Sequence, residues 1–150
     1  MRGAARGARL LGTVAEIRDL QKRTAEQEHA RADQARREAA LRLEDGRAAV
    51  REAEQGWVAA TGIGAFDPTL SRVWLHALEM RRGEERSLAD VEAEAAEVAD
   101  DRRAVLRLAQ ARSDAAREQA RRAARAVARR REEIRLGAVE DQLNARRIAR

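Results

Sequence analysis

The sequence is broken in one place only. Around Thr61-Gly62-Ile63-Gly64-Ala65-Phe66, two glycines fall within three residues and the helical patterning lapses. Asp67-Pro68-Thr69-Leu70 follows with the form of a helix start, Asp as N-cap and Pro in the first helical position. Pro68 is the single proline in 150 residues. Long helical periodicities lie on either side, so the chain reads as two helices and one reversal.

The first periodicity passes through Val14, Ile17, Gln21, Ala25, Glu28, Ala32, Ala35, Ala39, Leu43, Gly46, Val50, Ala53 and Trp57, in alternating steps of three and four. Gln21, Glu28 and Gly46 interrupt its apolar character. The second runs Leu70, Trp74, Ala77, Arg81, Glu84, Leu88, Val91, Ala95, Val98, Arg102, Val105, Ala109, Arg112 and Ala116, and is best between Leu88 and Ala109. Beyond it the apolar positions drift by one residue, to Ala120, Ala123, Val127 and Ile134, as a relaxing supercoil would. The expected fold class is all-α, a long two-helix antiparallel coiled-coil hairpin. Helix one is expected over about 10–60, the turn over about 61–67 and helix two over about 68–146, with a flexible N-terminus at 1–9.

Composition agrees with such a fold and excludes others. Large apolar side chains number 31, against 35 alanines. At roughly 1.5–3 kcal/mol per buried large side chain, that is too few for a compact globule, whereas alanine lets two helices approach along a narrow seam. A sandwich, a barrel and a doubly wound sheet are all disfavoured.

Zero cysteines exclude disulfides, thiol nucleophiles and cysteine-based zinc sites. No apolar run approaches the roughly 18 residues of a membrane span. Arg2, Arg6 and Arg9 give the first residues the charge of a targeting peptide, but Leu10-Leu11 is far short of a secretory core of about 7–15 apolar residues. A cytoplasmic protein is expected.

Catalytic chemistry finds no foothold in the sequence. Glu26-Gln27-Glu28-His29 has the Glu-x-x-His spacing used in di-iron bundles, but such cages need a second copy and four helices. His76-Ala77-Leu78-Glu79 runs the opposite way. No serine–histidine pair or phosphate-binding glycine loop occurs, and Gly62 and Gly64 follow no strand. The expectation is a non-enzymatic chain with no catalytic residue, no metal and no cofactor.

Two features point to partners. Arg121, Arg122, Arg125, Arg129, Arg130 and Arg131 form a run without one acid, which could neutralise phosphates and keeps a nucleic-acid-binding coiled coil open as an alternative. The run lacks interleaved aromatics and ends at Glu132-Glu133, which favours a solvated or protein-facing helix. The three aromatics, Trp57, Phe66 and Trp74, all flank the turn, with Leu75, Leu78 and Met80 nearby. They can staple the hairpin, or one can staple while another docks a partner. A generic scaffold in which two hairpins pair is a further alternative.

The layout resembles the flagellar export chaperone family FliJ and its injectisome relatives of the YscO type. The resemblance rests on Ile17-Arg18-Asp19-Leu20 and Ala25-Glu26 in the first helix and on Trp57 before the turn. It continues with Val73-Trp74-Leu75-His76-Ala77-Leu78 opening the second helix and the acidic step Glu140-Asp141 near its end. It implies an accessory stalk of a flagellar or type III export apparatus, peripheral to the inner membrane. Such a stalk would sit against the export ATPase hexamer in the manner of a rotary gamma subunit. It would also contact the export gate's cytoplasmic domain and bind substrate chaperones. Carried over, the gate surface would comprise Val50, Ala53, Trp57, Trp74, Leu78 and Arg81, and the ATPase end Arg129, Arg130 and Arg131. The family favours tyrosines on the first helix; this chain has none.

Overall fold

The computed structural model describes residues 2–62 and 66–148, with side chains for 3–62 and 66–145. The fold is all-α: helix α1 spans Arg2–Thr61 and helix α2 spans Pro68–Ile148, and the two pack on each other as a hairpin. Ile63, Gly64 and Ala65 of the expected turn lie outside the described residues. Asp67 caps α2: its Oδ1 accepts hydrogen bonds from the backbone N–H groups of Thr69 (2.8 Å) and Leu70 (3.1 Å). Two otherwise orphaned donors are thereby satisfied, and Pro68, which has no N–H to satisfy, occupies the next position. At the other side of the reversal, the Thr61 hydroxyl donates back to the Trp57 carbonyl at 2.9 Å.

The hairpin divides into two units, each built from both helices. Unit 2 covers Glu26–Val105 and unit 1 covers Met1–Ala25 together with Leu106–Arg150, so both chain ends belong to unit 1.

In unit 2 the seam is made of small residues and a few large ones that fill the gaps. Ala39, Leu43, Val50, Ala53, Ala60, Leu78 and Ala99 are buried. Val50, Ala53 and Leu78 form its core cluster, with Trp74 packed against them. Two glycines act as sockets. A Cβ on Gly46 would lie 2.8 Å from Leu88 Cδ1, and one on Gly56 would lie 2.6–2.7 Å from the Trp74 ring. Each large side chain thus occupies space that any other residue would fill, as knobs into holes require. Between the helices, Arg82 pairs with Glu54 (3.0 Å), Arg102 with Glu28 (2.9 Å) and Arg47 with Glu85 (3.7 Å). Exposed pairs of this kind contribute only about 0–1 kcal/mol each, so they choose the pairing more than they hold it.

Unit 1 is held differently. Ala25 and Ala116 are buried, and Ser113 is 0% exposed. The Ser113 hydroxyl donates to Asp19 Oδ1 at 2.7 Å, and Arg117 pairs with the other oxygen, Oδ2. A buried polar group with its partner in place fixes register, because any slip leaves it unsatisfied. Ala5, Ala8, Ala15, Ala120, Ala123 and Val127 continue the seam half-buried. Ala5, Ala8 and Arg9 line one shallow groove with Ala124, Val127, Ala128 and Arg131.

Three sequence expectations are corrected. Helix α1 begins at Arg2 rather than near Leu10, because Ala5 and Ala8 extend its small-residue row against α2. At the start of α1, Val14, Ile17 and Gln21 are exposed, while Ala15, Asp19 and Lys22 take the seam. In α2 the expected Glu84, Val91, Val98, Val105 and Arg112 are exposed, and Glu85, Glu92, Ala99, Leu106 and Ser113, each one residue later, take their places. The reason is steric. A close helix–helix approach selects the row holding Ala99 and Ser113, where β-branched valines would hold the backbones apart.

The drifted positions Ala120, Ala123 and Val127 do lie in the seam. Ile134 does not. From Glu132 to Ala145, every residue except Gly137 is exposed, since this part of α2 has run past the start of α1.

Candidate interaction surfaces

The two tryptophans flanking the turn have opposite fates. Trp74 faces inward, over Gly56 and against the Val50–Ala53–Leu78 cluster. Trp57 lies one residue round from that socket and is 37% exposed. Val58, Phe66, Leu70, Val73 and Leu75 are exposed as well, so the turn region of unit 2 displays a concentration of large apolar side chains. Large apolar side chains are exposed elsewhere along both helices too, but the aromatics are confined to this region, and aromatic anchors of this type dominate binding energy at protein interfaces.

Of the six residues assigned to a gate-contacting surface, Val50, Ala53 and Leu78 are buried between the helices. In the closed hairpin they pack together as one cluster. Trp74 is half-buried behind them, and Arg81 is exposed and paired with Glu84 at 2.8 Å. Trp57 is the large apolar residue of the set that remains accessible. Periodicity missed Val58 and Phe66, which lie off the heptad rows; clustering of large apolar residues at the turn is the signal that finds them.

Arg129, Arg130 and Arg131 are exposed in unit 1. Arg130 pairs with Glu133 at 3.3 Å and Arg122 with Glu118 at 2.7 Å. Among the described residues, Arg121, Arg125, Arg129 and Arg131 make no ion pair.

His76 is exposed, Glu28 is engaged by Arg102, and among the described residues His29 Nδ1 is buried without a hydrogen-bond partner. Among the described residues no group of three metal-ligating side chains comes together, and no helix is long and apolar enough to cross a membrane.

The polar clasp of unit 1 carries a pH signature. The hydrogen bond from Arg117, then that from Ser113, holds the Asp19 carboxyl below its ordinary 3.8, and the same contact raises Arg117. Arg37 and Arg122 lower Asp33 and Glu118 in the same way, within single helices. Because the folded Asp19 value is the lower one, the clasp's contribution is complete above pH 3.8 and is lost as pH falls through the folded value. Acid titration followed by circular dichroism should show part of the helicity lost below pH 3.8. Asp19→Asn should remove that part of the transition and lower the melting temperature at neutral pH. An unchanged acid profile would show that the clasp stabilises nothing.

Family models, curated proteins and solved structures provide no match to this chain. Its class is therefore defined by the fold: an all-α two-helix hairpin with an apolar surface beside its turn and an arginine-rich helix in its other unit.

Proposed function

We propose that this chain is a non-enzymatic accessory stalk of a flagellar or type III protein export apparatus, bridging the export ATPase and the export gate. The observation that carries the reading is the position of Trp57. In a hairpin whose seam is built largely from small residues, a tryptophan beside the turn stays accessible among other exposed large apolar side chains. The resemblance to the FliJ and YscO families associates that end with the gate. The docking surface consists of Trp57, Val58, Phe66 and Leu70, with Val50, Ala53 and Leu78 as the support beneath. Arg129 and Arg131, which form no ion pair among the described residues, are the groups offered to an ATPase ring.

Co-purification with an export ATPase and with a gate cytoplasmic domain tests this. Trp57→Ala is expected to weaken gate capture at least about tenfold, the scale of an aromatic hot spot, while leaving ATPase capture intact. Reversing Arg129, Arg130 and Arg131 to Glu should do the opposite. Absence of binding to either, with secretion and motility intact after deletion, would overturn the assignment.

A further inference from the structure

Charge divides between the two units far more sharply than the net +5 suggests. Unit 1 holds 19 basic and 8 acidic residues, whereas unit 2 holds 12 basic and 18 acidic. The chain thus carries +11 in one unit and −6 in the other. On α2 the contrast is local. Between Glu84 and Asp101 there are eight acids and one arginine, and between Arg121 and Arg131 six arginines and no acid.

The acidic stretch also presents a row of valines. Val91, Val98 and Val105 recur at seven-residue spacing and are 45%, 50% and 48% exposed. This row has the composition of a coiled-coil seam, yet the hairpin's own seam lies one residue further on. Asp90, Glu94, Glu97 and Asp101 flank it, and among the described residues none of the four forms an ion pair.

We propose that this row is covered by a second copy of the chain: the acid-flanked valines of unit 2 receive the arginine-rich stretch of α2 from unit 1 of the other molecule. Heptad arithmetic supports it. The exposed row Ala115, Arg122 and Arg129 repeats at the same seven-residue interval as Val105, Val98 and Val91. In antiparallel order these positions oppose one another, and Asp90, Glu94 and Glu97 fall among Arg125, Arg129 and Arg130. Arginine suits the position because its methylene stem covers a valine while its guanidinium reaches the flanking carboxylate. Antiparallel packing closes the assembly as a pair, whereas a staggered parallel contact would leave an open end and grow filaments. In-register parallel packing would set acid beside acid and is opposed by charge. The apolar surface beside the turn takes no part in this contact.

Sedimentation equilibrium of the full chain, cleared of nucleic acid, reads the prediction. A dimer should form at about 0.05 M salt and dissociate at about 1 M, where the screening length falls to roughly 3 Å. Replacing Val91, Val98 and Val105 together with Ser should raise the dimer Kd at least about tenfold. One variant reverses Arg125, Arg129 and Arg131 to Glu, and a second reverses Glu94, Glu97 and Asp101 to Arg. Each alone should be monomeric, and an equal mixture should restore the dimer. All the reversed residues are exposed, and circular dichroism checks that helicity is kept. Should a reversed variant fail to fold, the salt dependence and the valine variant still decide. A strict monomer at about 100 µM and low salt would overturn the proposal. So would filaments, a dimer indifferent to salt or to the valine substitutions, folded reversed variants that do not pair, or a monomer that takes up only nucleic acid.

Discussion

Leu78→Ala is expected to destabilise the hairpin by about 2–3 kcal/mol, the lower part of the range for buried leucine truncation. Leu78 is buried against Val50 and Ala53 with Trp74 beside it, in a core cluster of three residues and one partly buried neighbour. A cluster so small has no second layer to share the loss. It can also relax, because only two helices surround it, and that keeps the effect below the 5 kcal/mol or so seen in thick cores. Urea unfolding followed by circular dichroism measures the change. Leu75→Ala is the control: Leu75 is exposed on the same helix, and its truncation should shift stability by no more than about 0.5 kcal/mol. Equal effects at the two positions would mean that the seam runs elsewhere. The pair also separates support from contact, since Leu78→Ala should affect partner capture only as far as it unfolds the hairpin.

The second large effect is expected at a residue with no side chain. Gly56→Val places a branched side chain where a Cβ would already lie 2.6 Å from the Trp74 ring. Either the ring leaves its socket or the helices separate, and overpacking of this kind costs about 1–3 kcal/mol. The helix-propensity gain on replacing glycine, less than about 1 kcal/mol, offsets only part of that. Gly83, with nothing within 4 Å of its would-be Cβ, supplies the opposite sign: Gly83→Ala should stabilise by up to about 1 kcal/mol. Adding Trp74→Ala to Gly56→Val should recover part of the loss, because the double variant removes the clash along with the ring. If Gly56→Val matches Gly83→Ala in unfolding midpoint, the tryptophan is not seated on Gly56.

The contrast between these two glycines bears on what a sequence of this kind reveals. The fold class was legible because it depends on period and punctuation: one proline after one glycine-rich break, between two long helical patterns. The face was much harder to read. In α2 the row through Val91, Val98 and Val105 is more apolar than the row through Glu92, Ala99 and Leu106, and hydrophobicity alone selects the first. The structure selects the second because alanine and serine permit close approach. Gly46 counts against a seam by composition, yet it accommodates Leu88. Ser113 and Asp19 look like surface residues and instead form the clasp of unit 1, with Ser113 fully buried and Asp19 half-buried. Alanine presents nearly the same side chain to a neighbouring helix and to water, so an alanine-rich helix carries little record of which side faces inward.

That ambiguity affects the candidate interaction residues most directly. A shift of one residue moved Val91, Val98 and Val105 to the outside and put Leu78 into the seam beside Val50 and Ala53, which lie there as their periodicity predicts. Between the two tryptophans, position decided in the same way. Trp74 has a glycine opposite it, and Trp57 follows that glycine and is displaced outward.

The accessible Trp57, the exposed valine row and the arginines that form no ion pair among the described residues all depend on which faces of α1 and α2 meet. The chain has no cysteine, so introduced pairs report on that directly. In the Asp19→Cys/Ser113→Cys double variant, the new thiols replace two groups in hydrogen-bond contact at 2.7 Å, and they should form an intramolecular disulfide readily under mild oxidation. The Ile17→Cys/Arg112→Cys variant, whose positions are both exposed, should not. Efficient cross-linking of the second pair, with the first left reduced, would contradict the seam and every surface that follows from it.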